Sequence, residues 1–298
     1  MSTKGMTPQS LRIAVTADLH YGTRHTAGHR ANLQLAARLA EQPPDLLILA
    51  GDIGAADDFE RCLELFDRLP CKKAAVPGNH DIWVRTGDPD GDSLDRYERY
   101  LPDLCKAHGF TYLDREPLLF PDSDLAIVGC MNWYDYTWDN ELLREATPDW
   151  EERLANKRFV RGMHNDANFV QWQLSDVTFT ERVVTKLVAD LDSALERVSN
   201  AFVVAHHPPM RGLLYPARDP LPLDALLWRA FSGNTRLEAE LTQRAARIPF
   251  VFCGHTHSAQ QCDVGPMHGI NVGGDYHFKR LVWVDWPAKT VTEEEFHG

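Results

Sequence analysis

Phe250-Val251-Phe252-Cys253-Gly254-His255-Thr256-His257 is an apolar run that stops abruptly at two histidines one residue apart, and four other stretches of the chain stop in the same way. Residues 13–17 lead into Asp18-Leu19-His20, 46–50 into Gly51-Asp52, 74–76 into Gly78-Asn79-His80-Asp81, and 201–205 into His206-His207-Pro208. Short apolar runs bounded by turn residues read as buried strands. In an open α/β sheet, ligands gather in the crevice outside the strand ends. In extended chain, residues two apart point to one side, so Asp18/His20 and His255/His257 can each present a pair of ligands. Carboxylates, imidazoles and an amide at shared strand ends are the mixed N/O donors that two cations about 3.5–4 Å apart require.

Taken in order, the blocks D-x-H, G-D, G-N-H-D, H and G-H-x-H resemble the calcineurin-like metallophosphoesterase superfamily, over residues 12–284. One such block alone means little. Asp52 by itself reads as a turn or helix-capping residue, and only its place between the flanking blocks reverses that reading. The resemblance implies an α/β fold, a four-layer α/β/β/α sandwich. It also implies that Asp18, His20 and His257 bind a first metal, that Asn79, His206 and His255 bind a second, and that Asp52 bridges them. In such proteins His80 is not a ligand. It sits beside the leaving-group oxygen, where an imidazole titrating near neutral pH can donate a proton. The donor set favours Mn, Fe or Zn over magnesium, which prefers all-oxygen shells. Adjacent imidazoles cannot both face the metals from one extended segment; following the family's H-x-P pattern, His206 is taken as the ligand and His207 as packing. Asp81 is read either as orienting the loop or as a solvent-facing turn residue. Arg24 and His25, downstream on the first loop, are within reach of a phosphate, and His277 is a weaker candidate.

Composition sets the bounds. The chain has 298 residues, 44% of them hydrophobic and 25% charged, and is long enough for a large core. A net charge of −12 argues against extended nucleic acid as a partner, because phosphate binding needs a basic face. A small phosphorylated molecule is compatible with it, since bound cations invert the local field. Six scattered cysteines form no disulfide framework or zinc ribbon. Residues 1–10 are polar, without a signal-like apolar core, and no run approaches a membrane span; the expected location is cytoplasmic.

The first third alternates strands (11–17, 45–50, 72–76) with helical patterns (31–40, 57–69, 93–108), which predicts a mainly parallel sheet. Strands follow at 118–120 and 124–130. Residues 132–178 then break the rhythm, dense in aromatics without a clean period, and 208–232 form a second irregular stretch. Helices are expected at 182–198 and at 234–246, the latter capped by Asn234, with a strand at 200–205 between them. Four short strands are expected after His257. The organisation is read as one domain, 1–298, with a cap-like insertion at 132–178 and an active-edge loop at 208–232. Trp133, Tyr134, Tyr136 and Trp138 are candidates for the wall that selects a substrate, and at least one is expected to face the metals.

The resemblance implies a metal-dependent hydrolase of phosphate esters that attacks through a metal-bridging hydroxide. A phosphodiesterase acting on a small or medium phosphorylated molecule is preferred. The alternatives are a phosphomonoesterase, a nuclease, or a non-catalytic scaffold; the full set of ligand types and His80 speaks against the last.

Overall fold

The computed structural model of the chain describes residues 8–88, 91–215 and 220–298. Most of the N-terminal stretch, and residues 216–219 of the second irregular stretch, lie outside them. Strands β1 (Leu11–Thr16), β2 (Leu46–Ala50), β3 (Lys72–Val76) and β4 (Phe110–Tyr112) run parallel. The helices between them are α1 (Thr26–Glu41), α2 (Asp58–Glu64), the single turn α3 (Ser93–Asp95) and α4 (Leu101–Ala107). Next come β5 (Leu118–Phe120), β6 (Leu125–Cys130), α5 (Asn140–Ala146), α6 (Trp150–Ala155), α7 (Asp166–Phe169), α8 (Asp176–Leu195) and β7 (Asn200–Ala205). The chain ends with α9 (Leu223–Ala230), α10 (Thr235–Gln243), β8 (Phe250–Cys253), β9 (Gln260–Val264), β10 (Met267–Asn271), β11 (Phe278–Trp286) and β12 (Thr290–His297).

Two six-stranded sheets result, ordered β12-β11-β1-β2-β3-β4 and β5-β6-β7-β8-β10-β9. Alternation along the strands explains why the runs are apolar throughout. Ile13, Val15, Leu46, Ile48, Phe202, Val204, Phe250 and Phe252 meet in one buried cluster between the sheets. Their neighbours Ala14, Leu47, Leu49, Val203 and Val251 belong to a second cluster shared with the helices. A strand buried on both faces cannot alternate apolar with polar. The α/β/β/α layering is therefore written in the strands, with α1 on β11 and β12 and α8 on β6 and β7.

The irregular stretches hold more helix than expected. Residues 132–178 contain α5, α6, α7 and the start of α8, which begins at Asp176 rather than at 182; the Ser175 hydroxyl caps it by accepting from the Thr178 N–H at 3.0 Å. Residues 208–232 contain α9. Asn234 caps α10 as predicted, accepting from Leu237 N–H at 2.8 Å. Among the described residues no helix is long and apolar enough to cross a membrane.

Candidate metal centre

Each block of the sequence pattern sits beyond the C-terminal end of a parallel strand: β1, β2 and β3 from one sheet, β7 and β8 from the other. The loops are laced together by their backbones. Asp18 N–H donates to Gly51 O at 3.0 Å, His20 N–H to Asp52 O at 2.8 Å, and Gly254 N–H to His206 O at 3.1 Å. The expected extended presentation of Asp18/His20 and His255/His257 does not occur. Asp18, His20, Asp52, His255 and His257 all take left-handed backbone, with φ between 41° and 71°. Non-glycine residues there cost about 1–3 kcal/mol each and persist only where the surroundings over-determine them. The glycines beside them also permit close approach, and Gly51 shares the left-handed backbone at φ 87°. A Cβ on Gly78 would lie 2.1 Å from Asp52 Oδ1, and one on Gly51 would lie 2.3 Å from His206 Nδ1.

Side chains of Asp18, His20, Asp52 and His257 converge, with one donor atom from each within 4.8 Å of the others. Asp52 lies at the centre. Its Oδ1 is 3.3 Å from His206 Nε2, and its Oδ2 is 3.6 Å from His20 Nε2 and 3.9 Å from His80 Nε2. One carboxylate thus presents separate oxygens to two histidine sets. On the far side, Asn79 Oδ1 is 3.2 Å from His206 Nε2 and 3.3 Å from His255 Nδ1. His206 Nδ1 is 3.0 Å from the Ala50 carbonyl. Donating there leaves Nε2 as the free lone pair, the usual way a ligating imidazole is fixed.

His207 is a rival. It is fully buried, neither ring nitrogen has a hydrogen-bond partner among the described residues, and it groups with His206 and His255 within 4.8 Å. Its ring packs edge-on to Trp133 at 4.8 Å and against His255 at 4.1 Å.

The donor set fits a pair of cations. Asp18 Oδ2 and His255 Nε2 are buried without hydrogen-bond partners among the described residues, as acceptors facing an ion are. Burial holds the His20 and His255 imidazoles well below their ordinary pKa, in the neutral form that ligates. Burial also raises the Asp18 carboxyl, against the attraction of His257. At Asp52 burial acts upward, but the His206, His80 and His20 imidazoles hold the carboxyl well below the usual carboxylate range. His206 is the partner effect: burial pushes it down, yet Asp52 raises it to about 9. A cation at Nε2 would displace that proton, so its affinity increases with pH.

His80 stands at the edge of this crown, its ring stacked on Trp83 at 3.6 Å and its backbone N–H donating to Asp52 Oδ1 at 3.0 Å. Asp81 is buried and orients the loops rather than facing solvent: its oxygens accept from Gly54 N–H at 2.9 Å and Gly78 N–H at 2.7 Å. Arg24 and His25 are exposed, and His25 meets the rings of Tyr276 and His277.

Four residues near the crown went unread. Tyr276 stacks on His20 at 4.3 Å. The buried Lys279 donates from Nζ to the Asp18 carbonyl at 2.8 Å. Trp83 follows His80 by three residues, a spacing that could have flagged it. Asp166 accepts from Asn79 Nδ2 at 2.9 Å.

A cavity of about 710 Å³ opens over Asp52, Asn79, His80, His255 and His257. Its outer wall comes from the two irregular stretches, through Phe159, Arg161, Met163 and His164 on one side and Tyr215 and Trp228 on the other. The expected aromatics do not line it. Trp133, Tyr134 and Trp138 are wholly buried, and Tyr136 packs on Tyr134 and Phe231. Polar atoms explain two of these: Trp133 Nε1–H donates to Asp176 at 2.8 Å and the Tyr136 hydroxyl bonds the same carboxylate, pinning both rings inward.

Comparisons with known proteins give the family. The family model of the calcineurin-like phosphoesterases matches residues 11–259. The acyl-carrier-protein phosphodiesterase PptH of Mycobacterium tuberculosis is 35% identical over 293 residues, covering 94% of this chain and 83% of that protein. The crystal structure of the phosphopantetheinyl hydrolase PptH from that organism aligns with a TM-score of 0.66 at 22% identity, over 89% of each chain. A dimetal phosphatase from Danio rerio aligns at 0.52 and 14% identity, over 96% of this chain and 98% of its own. At these identities the two structural likenesses speak to the fold. With the family model covering most of its length and a relative alike across nearly all of it, the chain belongs to the calcineurin-like phosphoesterases, metal-dependent hydrolases of phosphate esters.

Proposed function

We propose that this phosphodiesterase hydrolyses the phosphodiester that joins a phosphopantetheinyl group to an acyl-carrier protein. The observation that carries the reading is the 35% identity to an acyl-carrier-protein phosphodiesterase across 94% of the chain. The cavity supports it. At about 710 Å³ it falls within the range of small-molecule sites, and Phe159, Met163 and Trp228 offer apolar surface beside the polar Arg161 and Asn165.

In this reading Asp18, His20 and His257 hold one cation, Asn79, His206 and His255 hold the other, and Asp52 is shared. Mn, Fe and Zn suit these donors. When bound, such a pair acidifies water and polarises phosphoryl oxygens. The chain's own residues do the rest. The shared carboxylate sets the spacing of the two ligand sets, and the left-handed turns hold their donors in place before substrate arrives. His80, outside both sets but 3.9 Å from Asp52 Oδ2, donates a proton to the departing alkoxide. Burial lowers His80, and the Asp52 and Asp166 carboxylates oppose that shift. The walls formed by the described residues of 132–178 and 208–232 act as a cap that accepts the non-phosphate part of the ester.

The test is mass spectrometry of a holo acyl-carrier protein incubated with the Mn²⁺-loaded enzyme. Loss of one phosphopantetheine per carrier is expected, together with faster turnover of bis(p-nitrophenyl) phosphate than of p-nitrophenyl phosphate. An unchanged carrier alongside active diester hydrolysis would remove the substrate and leave the reaction class standing.

A further inference from the structure

We infer that Asp166, contributed by the 132–178 segment, is a positioning residue that sets which atom of Asn79 faces the second cation and holds the plate on which His80 rests. The inference rests on the proposed ligand assignment. An asparagine side chain has two ends of nearly the same shape, but only its oxygen can bind a cation; the NH₂ end is a pure donor. The imidazole of His255 does not choose between them, since its Nδ1 can donate or accept.

Asp166 makes the choice. An ionised carboxylate only accepts. Its Oδ1 takes a hydrogen bond from Asn79 Nδ2 at 2.9 Å, so Asn79 Oδ1 must turn toward His206 and His255, 3.2 and 3.3 Å away. The same Oδ1 accepts from Trp83 Nε1–H at 2.8 Å. Trp83 lies under His80 at 3.6 Å with 27° between the rings, so one oxygen fixes both a cation-facing amide and the base of the proposed proton donor.

The carboxylate cannot rotate away. Its Oδ2 accepts from the Tyr134 hydroxyl at 3.0 Å and lies 3.3 Å from His164 Nδ1, and the residue is 1% exposed. Tyr134 is in turn stacked on Trp133 at 4.7 Å. The buried aromatics of this segment therefore serve the site as its footing rather than as its wall. Outer partners of this kind cost about 10–100-fold in metal affinity or activity when removed.

Calorimetric titration of metal-free, full-length protein with Mn²⁺, paired with thermal melting, tests the role. In Asp166→Ala one of the two binding events should weaken about 10–100-fold while the other stays within about threefold. Asp166→Asn keeps an accepting oxygen, and its NH₂ can donate to Tyr134 and His164, so both events should be restored to near wild type. Tyr134→Phe removes a bond to Oδ2 only and should leave both intact. Unaltered binding in D166A overturns the inference, as does equal weakening of both events in step with the melting temperature. A D166N protein as impaired as D166A would also overturn it, by assigning the effect to charge instead of amide orientation. Wild-type protein labelled with ¹⁵N-asparagine and loaded with Zn²⁺ gives a measurement independent of any variant's folding. The Asn79 side-chain amide protons should be protected from exchange, and rapid exchange would sink the idea. Ordinary diester turnover with wild-type Mn²⁺ binding in D166A would fault this inference alone. Loss of both binding events in N79A would fault the ligand assignment beneath it.

Discussion

The strand-end crown and the 132–178 segment are both buried and both rich in polar side chains, yet they gain their order from different sources. In the crown, order comes from backbone: five of the expected ligands sit in left-handed turns at the ends of strands whose apolar faces are fixed on both sides. In the segment, order comes from side chains, with Asp166 and Asp176 each gathering several donors around one carboxylate. The difference teaches that the two regions fail in different ways. Backbone-set positions tolerate no movement and suit cations. A segment tied together by side chains depends on its hubs, so that loss of one carboxylate releases several donors at once.

The largest test of this contrast is Asp52→Asn. The amide removes the charge that both histidine sets face, and Nδ2 cannot ligate on one side. Turnover should fall beyond the about 10²–10³-fold that loss of a single electrostatic stabiliser costs. A variant that holds two cations per chain and hydrolyses diesters at the wild-type rate would falsify the bridging role. His206→Ala against His207→Ala asks the same of adjacent residues. Removal of His206, whose Nε2 faces Asp52 and Asn79, should abolish tight binding of one cation. Removal of His207, wedged against Trp133, should lower the melting temperature and spare both cations. Metal analysis of the two proteins decides it, and the reverse ranking means that His207 is the ligand.

His80→Ala comes next. The side chain touches the crown without belonging to either ligand set, so both cations should remain while the rate drops about 10²–10⁴-fold. The drop should be smaller for p-nitrophenyl esters, whose leaving group needs little protonation, than for an alkyl diester. Cation loss together with the imidazole would move His80 into the ligand set.

The convergence of the candidate ligands was legible because its signal is local: each block follows an apolar run, and β3 and β7 lie at the residues the runs mark. The order of the two sheets was not legible locally, since pairs such as β1 with β11 join residues far apart in the chain. Within 132–178 the helices α5, α6 and α7 span 7, 6 and 4 residues, too short for a helical period to rise above the aromatics between them. Asp166 carries no local mark except that His164-Asn165-Asp166 repeats the two-apart spacing of Asp18-Leu19-His20. Its importance arises only when the fold brings Asn79 and Trp83 to it.

The smallest expected effect separates wall from footing within the segment and its neighbouring loop. Trp228 lines the cavity, its ring 5.4 Å from His255, whereas Trp133 is wholly buried among Tyr134, Phe179 and His207. Truncating Trp133 to alanine should destabilise the protein by about 3–5 kcal/mol, as loss of a buried aromatic does, with KM unchanged in whatever fraction stays folded. Truncating Trp228 should do the reverse. An aromatic contact contributes about 0.5–1.5 kcal/mol beyond its buried area, so KM for a phosphopantetheinyl diester should rise about 2–10-fold. Turnover of bis(p-nitrophenyl) phosphate, which is too short to reach far along that wall, should barely move. The two variants therefore part company on two axes, melting temperature and the ratio of KM values between long and short diesters. If both instead lose activity on each substrate in proportion to their loss of stability, the ring of Trp228 is footing as well, and selection must come from Phe159, Met163 and Arg161 across the cavity.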